Sequence, residues 1–189
     1  MTDNYKALVL SESDGKVGNE IQELTSRDLP DGDVLVRVEY SDVNYKDGMV
    51  VNGIGGLVRN YPHVPGIDFA GVVEESSHSR YAAGDKVVLT WIKGGGIDSK
   101  GAKYKLGNIH LNSGGVTTFS DFTVASENRC VKLEEGIPMD LAALLGCAVP
   151  TGAGIVFNTL HPDKNASIAV FGAGGIGLSA ILGAKVHEC

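Results

Sequence analysis

The glycines of a turn near residue 175 follow a regular spacing that is associated with a chemical function. Residues 172–177 (GAGGIG) fit the pattern G-x-G-x-x-G. In this pattern the first glycine allows a tight turn, the second lets the backbone approach a pyrophosphate, and the third lets a helix approach the preceding strand. Peptide N–H groups at the start of the helix would then face the phosphates. The turn therefore predicts a dinucleotide site formed by Gly172, Gly174, Gly175, Ile176 and Gly177.

The segments on either side of this turn fit the same prediction. Residues 166–171 (ASIAVF) are a continuous apolar run of strand length, typical of a parallel sheet that is buried on both faces. Residues 172–185 (GAGGIGLSAILGAK) open into an apolar helix. The alternative is a glycine-rich packing turn in some other α/β protein, which this strand–turn–helix context disfavours.

The chain holds only the beginning of such a nucleotide-binding unit. A β-α-β unit takes about 30 residues or more, and 24 remain from Ala166 to Cys189. The acidic residue that would distinguish NAD from NADP falls about 20 residues after the turn, beyond the last residue. We therefore expect a fragment or a truncated product, or a sheet that is completed by strands of another chain.

The first half of the chain has the patterns of β-strands, and the second half has those of helices. Short or alternating apolar runs predict strands at 6–10, 33–43, 68–74, 85–91, 119–124 and 129–133. Helical spacing of apolar residues predicts helices over 139–147 and 150–160, and a short helix is expected over 45–51. The prediction is an α+β fold, in which a β-rich domain over 1–150 precedes the start of an α/β domain over 151–189.

Composition excludes several classes of function. The 189 residues are 43% hydrophobic and carry a formal charge of −7, as expected of a soluble globular protein without the basic face of a nucleic-acid binder. No apolar run reaches the roughly 18–20 residues that span a bilayer, and residues 1–6 lack the apolar core of a signal peptide. Cys130, Cys147 and Cys189 show no CxxC spacing. We expect a cytoplasmic protein that binds neither nucleic acid nor membrane.

Several motifs, in order along the chain, resemble those of the medium-chain dehydrogenase/reductase superfamily. They are VNYKDG at 43–48, VPGIDFAGVV at 64–73, AGDKV at 83–87, AALLGCAVPTGAG at 142–154 and the glycine turn. The resemblance covers nearly the whole chain and implies a GroES-like catalytic domain followed by a doubly wound Rossmann domain. It also implies a small-molecule substrate, NAD(P)(H) as cofactor with NADPH slightly favoured, and a homodimer for the full-length protein.

The zinc-dependent branch of the superfamily is similar to this chain but differs at the metal. It places Cys, His and Cys where this sequence has Asn44, Ile67 and Cys147. Zinc needs at least three side chains with N, S or O donors, and Ile67 offers none. Residues 92–115, where the family's structural zinc lobe would fall, contain no cysteine. The resemblance therefore implies no zinc, and Cys147 is a vestigial ligand position or simply a small buried residue of a helix.

The same resemblance implies catalytic residues near position 44. Asn44, Tyr45 and Lys46 occupy the turn at which the family presents its active-site residues, so that Asn44 would orient the substrate and Tyr45 or Lys46 would supply a proton. Asp68 replaces a carboxylate usually found beside the zinc ligands and could bond Lys46 or a backbone amide. The structural alternative is that Asn44 and Asp47 cap the short helix.

Two further residues each have a functional and a structural interpretation. Thr151 matches a family threonine near the nicotinamide, or it caps a helix after a break. Arg59 would meet an acyl-CoA phosphate, or it faces solvent as a lone arginine usually does.

Three functions remain open. The first is NAD(P)-dependent reduction of an activated C=C or carbonyl without zinc, because NYKD and VRNYPHVPGIDFAG are similar to the quinone reductase and acrylyl-CoA reductase side of the superfamily. The second is an alcohol or polyol dehydrogenase with a degenerate zinc site, because LGCAVPTG and FGAGGIG are similar to the alcohol dehydrogenase side. The third is a truncated, non-catalytic domain.

Overall fold

The computed structural model describes residues 4–25, 29, 32–90, 103–106, 109–112 and 116–189. The strands are β1 (Asn4–Ser13), β2 (Lys16–Thr25), β3 (Val34–Tyr40), β4 (Phe69–Ser76), β5 (Lys86–Leu89), β6 (Lys103–Leu106), β7 (Ile109–Asn112), β8 (Phe122–Ala125) and β9 (Cys130–Lys132). The α-helices are α1 (Tyr45–Val51), α2 (Met139–Ala143), α3 (Ala148–Ile155) and α4 (Gly175–Val186). The described strands all precede α2, α3 and α4, while α1 lies between β3 and β4. The predicted α+β class is confirmed.

Five antiparallel strands form the main sheet, in the order β8-β3-β4-β5-β9. All five lie within or beside predicted apolar runs. Successive residues of a strand point to opposite faces, so Val34 and Val36 of β3 lie in one hydrophobic core while Leu35 between them lies in another. The first core also contains the fully buried Phe69 and Leu89 of β4 and β5. The sheet therefore has apolar layers on both faces at this end of β3.

A long hairpin of β1 and β2 covers the second core, and the sequence patterns did not predict β2. The two strands pair from Asn4↔Thr25 to Ser13↔Lys16. The turn between them has positive φ at Asp14 (52°) and Gly15 (75°), which is the backbone of a two-residue hairpin turn. Because most side chains of β2 are exposed, its position depends on backbone pairing rather than on an apolar pattern.

Helix α1 occupies the predicted range 45–51 and has well-defined ends. At its C-terminus, the N–H of Gly53 donates to the carbonyl of Val50 (3.1 Å) and the N–H of Ile54 donates to that of Met49 (2.8 Å). Gly53 has φ +67°, which favours glycine. These bonds form a Schellman motif, which satisfies the last carbonyls of the helix and determines the direction of the following loop.

The helical region after residue 138 is interrupted at a different place from the predicted one. The predicted helix over 139–147 is α2 followed by a 3₁₀ turn at Leu144–Gly146, and the predicted helix over 150–160 is α3 followed by a π-helical turn at Val156–Leu160. The break lies at Cys147 (φ −139°, ψ −69°). Pro150 lies in the first turn of α3, where its missing N–H has no helical acceptor and does not interrupt the helix. The predicted domain boundary at 150/151 consequently falls inside α3.

Helices α3 and α4 lie in direct contact. A Cβ on Gly152 would lie 2.2 Å from the carbonyl oxygen of Ile176 and 2.7 Å from Cβ of Ser179. This approach is possible only because residue 152 is glycine, since real Cβ contacts at this distance do not occur. The first turn of α4 is therefore held against α3.

The predicted strand over residues 166–171 is not a strand in the structure. None of the described strands pairs with it, and Phe171 at its end is 99% exposed. A strand exists only as part of a ladder, because its N–H and C=O groups need a neighbour. An apolar pattern can predict a buried strand but cannot supply its partner.

The helices of the described residues are short relative to the thickness of a bilayer. No single helix there is long and apolar enough to cross a membrane. The pair Met139–Gly146 and Ala148–Leu160 reaches that length and composition only together, with a bend of 58° between its halves.

Candidate active site

Asn44 stands at the N-cap of α1, where the chain is extended (φ −91°, ψ 157°). Its backbone N–H donates to Oδ2 of Asp47 over 2.8 Å, and Asp47 is the third residue of the helix. Asp47 is itself buried. This capping box satisfies N–H groups that have no acceptor within the helix, and it fixes the position of Asn44 relative to α1.

Asp68, immediately before β4, is the partner of that side chain. Its carboxylate is fully buried and accepts Nδ2 of Asn44 on Oδ2 at 2.8 Å and the backbone N–H of Asp42 on Oδ1 at 3.1 Å. A buried carboxylate needs donors of this kind, because leaving it without partners is costly. Asp68 therefore bonds an amide side chain and a backbone amide, and the described contacts include no bond from it to Lys46.

The environment of these carboxyl groups favours their neutral forms. Burial raises the pKa of Asp68 to about 6; the hydrogen bond from Asn44 opposes this shift, and the charge of Asp42 adds to it. Burial likewise raises the pKa of Asp47, against the hydrogen bonds from Asn44. Two buried carboxyl groups thus lie on either side of one asparagine.

Cys147, at the N-cap of α3, faces the same cluster. Burial raises the pKa of its thiol, and the charges of Asp68 and Asp47 raise it further, while Lys46 opposes them. The preceding residue explains this closeness: a Cβ on Gly146 would lie 2.1 Å from Cβ of Asp68. The 3₁₀ turn before Cys147 therefore lies directly on the start of β4.

Tyr45 and Lys46 extend from the first turn of α1 in another direction. Tyr45 is 86% exposed, and Lys46 is exposed as well. The part of the chain that the structure describes gives neither side chain a hydrogen-bond partner. Both are free to meet a ligand that approaches the N-terminal end of α1.

The glycine turn has the geometry that its spacing predicts for residues 172 and 177. Gly172 has φ +103°, and a Cβ on Gly177 would lie 2.0 Å from the Gly172 carbonyl oxygen. Gly174 is the N-cap of the 12-residue helix α4, and a Cβ there would meet no atom within 4 Å. Gly175 and Ile176 follow in the first turn of the helix. The space beside Gly174 at the start of α4 is thus open, as a bound phosphate requires.

Helix α3 connects the Asn44 cluster to this turn. It begins beside Asp68 at Cys147, and five residues later Gly152 touches the first turn of α4, a span of about 8 Å along a helix. Thr151 lies between them, half-buried, and its N–H donates to the Cys147 carbonyl at 3.1 Å. Cys147 is the N-cap of α3 and Thr151 is inside the helix, so the alternative that Thr151 caps it is wrong.

Ser41, Asp42 and Thr118 support the cluster and were not predicted from the sequence. Oγ of Ser41 lies 2.8 Å from both the carbonyl oxygen of Asp68 and Oγ1 of the buried Thr118. Ser41 and Thr118 are 77 positions apart, so no local pattern connects them. The nearest signal is the polar sequence SDVNYKD at 41–47, in which polar residues repeatedly interrupt the apolar ones.

The donor set does not resemble a metal site. Within the described ranges, no three His, Cys, Asp or Glu side chains are grouped so as to hold a metal ion. Ile67, half-buried beside Asp68, has no donor atom. Nδ2 of Asn44 and Oδ2 of Asp68 are bonded to each other. Zinc thiolate ligands must lose their proton, whereas the surroundings of Cys147 favour the thiol.

Comparison with known proteins gives consistent matches. Residues 30–135 match the family described as alcohol dehydrogenase GroES-like domain. Over 179 residues the chain is 40% identical to an acrylyl-CoA reductase of Ruegeria pomeroyi, covering 92% of this chain and 49% of that protein. The chain thus spans about half the length of the curated relatives it matches.

Solved structures agree with these matches. An oxidoreductase from Salmonella enterica in complex with NADP has a TM-score of 0.66 and 33% identity, covering 82% of this chain and 43% of that one. Benzyl alcohol dehydrogenase from Acinetobacter calcoaceticus has a TM-score of 0.80 and 26% identity, covering 98% and 56%. The resemblance seen in the sequence motifs is confirmed: this chain belongs to the medium-chain dehydrogenase/reductase superfamily and carries its alcohol dehydrogenase GroES-like domain.

Proposed function

We propose that this chain is part of an NAD(P)-dependent oxidoreductase that reduces an activated C=C or carbonyl, of the quinone or acrylyl-CoA type, without zinc. The observation that carries the proposal is the 2.8 Å hydrogen bond between Asn44 Nδ2 and Asp68 Oδ2. It joins two side chains at the place where the zinc-dependent branch has its ligands. The 40% identity to an acrylyl-CoA reductase supports the substrate class.

What each residue does at this place supports zinc independence. Nδ2 of Asn44 donates to Oδ2 of Asp68, and the backbone N–H of Asp42 donates to Oδ1 of Asp68. Cys147 is the remaining ligand-type residue, and burial beside carboxylates raises the pKa of its thiol, which disfavours the thiolate that zinc binds. A catalytic zinc site takes three protein ligands and an open position, and this cluster offers no such set.

The nicotinamide cofactor would bind with its pyrophosphate at the glycine turn. Gly172, Gly174 and Gly175 would supply backbone N–H groups, Ile176 the first turn of the helix, and Gly177 its close approach to the turn. Bound there, the cofactor would supply the hydride. Thr151, on the helix between the turn and the Asn44 cluster, would contact its nicotinamide end. NADPH is favoured because the Salmonella structure is a complex with NADP.

The residues of this chain would orient the substrate and move the proton. Because one N–H of Asn44 Nδ2 donates to Asp68, its second N–H is directed by that bond and can donate to a substrate carbonyl. Tyr45 and Lys46, exposed on the same turn, are the candidate proton donors. Asp68 is a positioning residue rather than a proton donor to the substrate, since it is fully buried behind Asn44.

The proposal assigns residues 1–150 to the catalytic domain and 151–189 to the start of the cofactor-binding domain. Helix α3 crosses this boundary, so the two parts of the site are joined by one rigid element. Because one helix holds both parts, the distance between them would stay the same during turnover. The proposal also includes a homodimer for the complete protein.

An activity measurement with metal analysis tests this function. The protein that carries this chain at its natural length should oxidise NADPH in the presence of acrylyl-CoA or a benzoquinone. Its zinc content should be far below one ion per chain, and a chelator should leave the rate unchanged. Loss of activity on chelation, with recovery on adding zinc, would contradict the zinc-free assignment.

A second function is favoured by one observation. The benzyl alcohol dehydrogenase structure matches 98% of this chain at a TM-score of 0.80. An alcohol dehydrogenase would reduce NAD⁺ or NADP⁺ with benzyl alcohol as substrate, and it would need the metal that this cluster does not fit. Activity with benzyl alcohol that depends on added zinc would favour this alternative.

A further inference from the structure

A cleft near the C-terminal end of α1 has no role in the proposed site. The turn of the β1–β2 hairpin forms one wall, and the loop that follows α1 forms the other. The cleft has a volume of about 300 Å³, and its lining includes Glu12, Val17, Val50, Leu57, Arg59 and Tyr61. It therefore combines a cation, a phenol and apolar side chains in one concave surface, as small-molecule sites do.

The loop that carries Arg59 is held at both ends. Its first residues belong to the Schellman motif at Gly53. A Cβ on Gly53 would lie 2.5 Å from Cγ2 of Val17, so the loop lies directly on β2. At the other end, His63 and Leu10 of β1 exchange backbone hydrogen bonds of 2.8 and 2.9 Å. The walls of the cleft are thus connected by contacts that exist without a ligand.

Arg59 has no carboxylate partner among the described residues. In contrast, Arg37 and Arg80 form ion pairs of 2.9–3.0 Å with glutamates. Glu12 lies on the opposite wall of the cleft, and its Oε1 accepts the N–H of Gly15 at 2.8 Å. The guanidinium of Arg59 is therefore available to an anion, and its planar donors suit a phosphate.

The cleft lies within reach of a long substrate bound at Asn44. Val50, which lines it, is six residues from Asn44 on the same helix, about 9 Å along the axis. Ile54 and Leu57, beside Arg59, are 55% and 46% exposed and offer an apolar surface to an organic chain. A small substrate bound at Asn44 would not reach the cleft, whereas one with an extended tail would.

We propose that this cleft is a subsite for the phosphate-bearing tail of the substrate, with Arg59 as its ion partner and Tyr61 as a flanking contact. The inference rests on the proposed function, in which the substrate is an acyl thioester of coenzyme A. It adds a specificity-determining residue outside the reacting centre. Substrates without phosphate would lose this contact and still reach Asn44.

Calorimetric titration tests the subsite without requiring turnover. The probes are coenzyme A and pantetheine, which has the same thiol arm without the phosphates, added to the protein that carries this chain. Wild type should bind coenzyme A clearly more tightly than pantetheine. Arg59→Gln should weaken coenzyme A binding about tenfold and leave pantetheine unchanged. Arg80→Gln, a surface arginine elsewhere, should change neither.

Glu12→Gln distinguishes charge from shape. It keeps an acceptor for Gly15 and removes a negative charge, so coenzyme A should bind as tightly as to wild type or more tightly. The subsite is disproved if Arg59→Gln binds coenzyme A like wild type, if wild type does not prefer coenzyme A to pantetheine, or if Glu12→Gln weakens binding as much as Arg59→Gln does. Absence of NADPH-dependent turnover would instead contradict the proposed function and leave these titrations interpretable.

Discussion

The side-chain amide of Asn44 donates from Nδ2 to Oδ2 of Asp68 over 2.8 Å, and the recipient carboxylate is fully buried. The two residues are 24 positions apart, one at the start of a helix and the other at the start of a central strand. Because the acceptor cannot turn to water, the bond restricts the Asn44 amide to one orientation. The local chemistry of this site therefore depends on a positioned amide.

Replacing Asn44 should separate helix capping from catalysis. Asn44→Ala removes both the cap and the amide, so we expect about 1 kcal/mol lower stability and about a hundredfold lower turnover. Asn44→Ser keeps a capping side chain but lacks the amide, and it should retain most of the stability while losing turnover. Thermal unfolding and steady-state kinetics provide the two measurements. Normal turnover in Asn44→Ser would mean that the residue only caps α1.

Asp68 should make stability depend on pH in a defined direction. Burial raises its pKa to about 6 from an ordinary value of 3.8, so the folded chain holds the proton more tightly than the unfolded chain. The protonated carboxyl group of Asp68 therefore stabilises the folded chain fully below about pH 4. This stabilisation is lost as the pH rises through 6.

The matched variant for this prediction is Asp68→Asn, which does not titrate. The free energy of unfolding of wild type minus that of Asp68→Asn should increase as the pH falls from 7 to 4, by up to roughly 3 kcal/mol. Denaturant unfolding at a series of pH values measures it. A difference that is constant or that decreases over this range would show that Asp68 has no raised pKa.

Tyr45→Phe and Lys46→Met should identify the proton donor. Because both side chains are exposed, they contribute little to packing, and each variant should fold normally. The variant that removes the donor should lose about a hundredfold in turnover with cofactor affinity nearly unchanged, because general acid catalysis contributes about 10²–10⁴-fold. If both variants retain normal turnover, the proton comes from solvent or from another residue.

Cys147→Ser should change little. Its thiol is half-buried and protonated, and no described contact requires sulfur. We expect activity within about twofold of wild type and a stability change below about 1 kcal/mol, as for a near-isosteric change. A large loss of activity together with loss of bound zinc would show that Cys147 is a metal ligand.

Glycine substitutions should distinguish packing from cofactor binding. Gly152→Ala places a methyl 2.2 Å from the Ile176 carbonyl oxygen, and we expect it to destabilise the chain by about 1–3 kcal/mol. Gly174→Ala meets no atom within 4 Å, so the fold should persist while a pyrophosphate approaching the turn is obstructed. Unfolding measurements and NADPH titration of both variants give the comparison. If Gly174→Ala bound NADPH as tightly as wild type does, the phosphates would have to bind away from Gly174.

The local features of this protein could be predicted from its sequence. Apolar runs predicted the five strands of the main sheet, the residues around 45–51 predicted α1, and the glycine spacing predicted the turn before α4. Each of these depends on neighbours within a few positions, which a linear pattern contains. Ile67 likewise needs no tertiary information, because an isoleucine side chain has no atom that can bind a metal.

Which distant groups meet could be seen only once the chain is folded. The bond from Asn44 to Asp68, the approach of Gly146 to Asp68 and the contact of Ser41 with Thr118 join residues that no periodicity relates. β2 exists because its backbone pairs with β1, whereas residues 166–171 have the apolar pattern but no partner among the described strands. Backbone hydrogen bonding and burial are satisfied between elements, so their outcome depends on which surfaces the whole chain brings together.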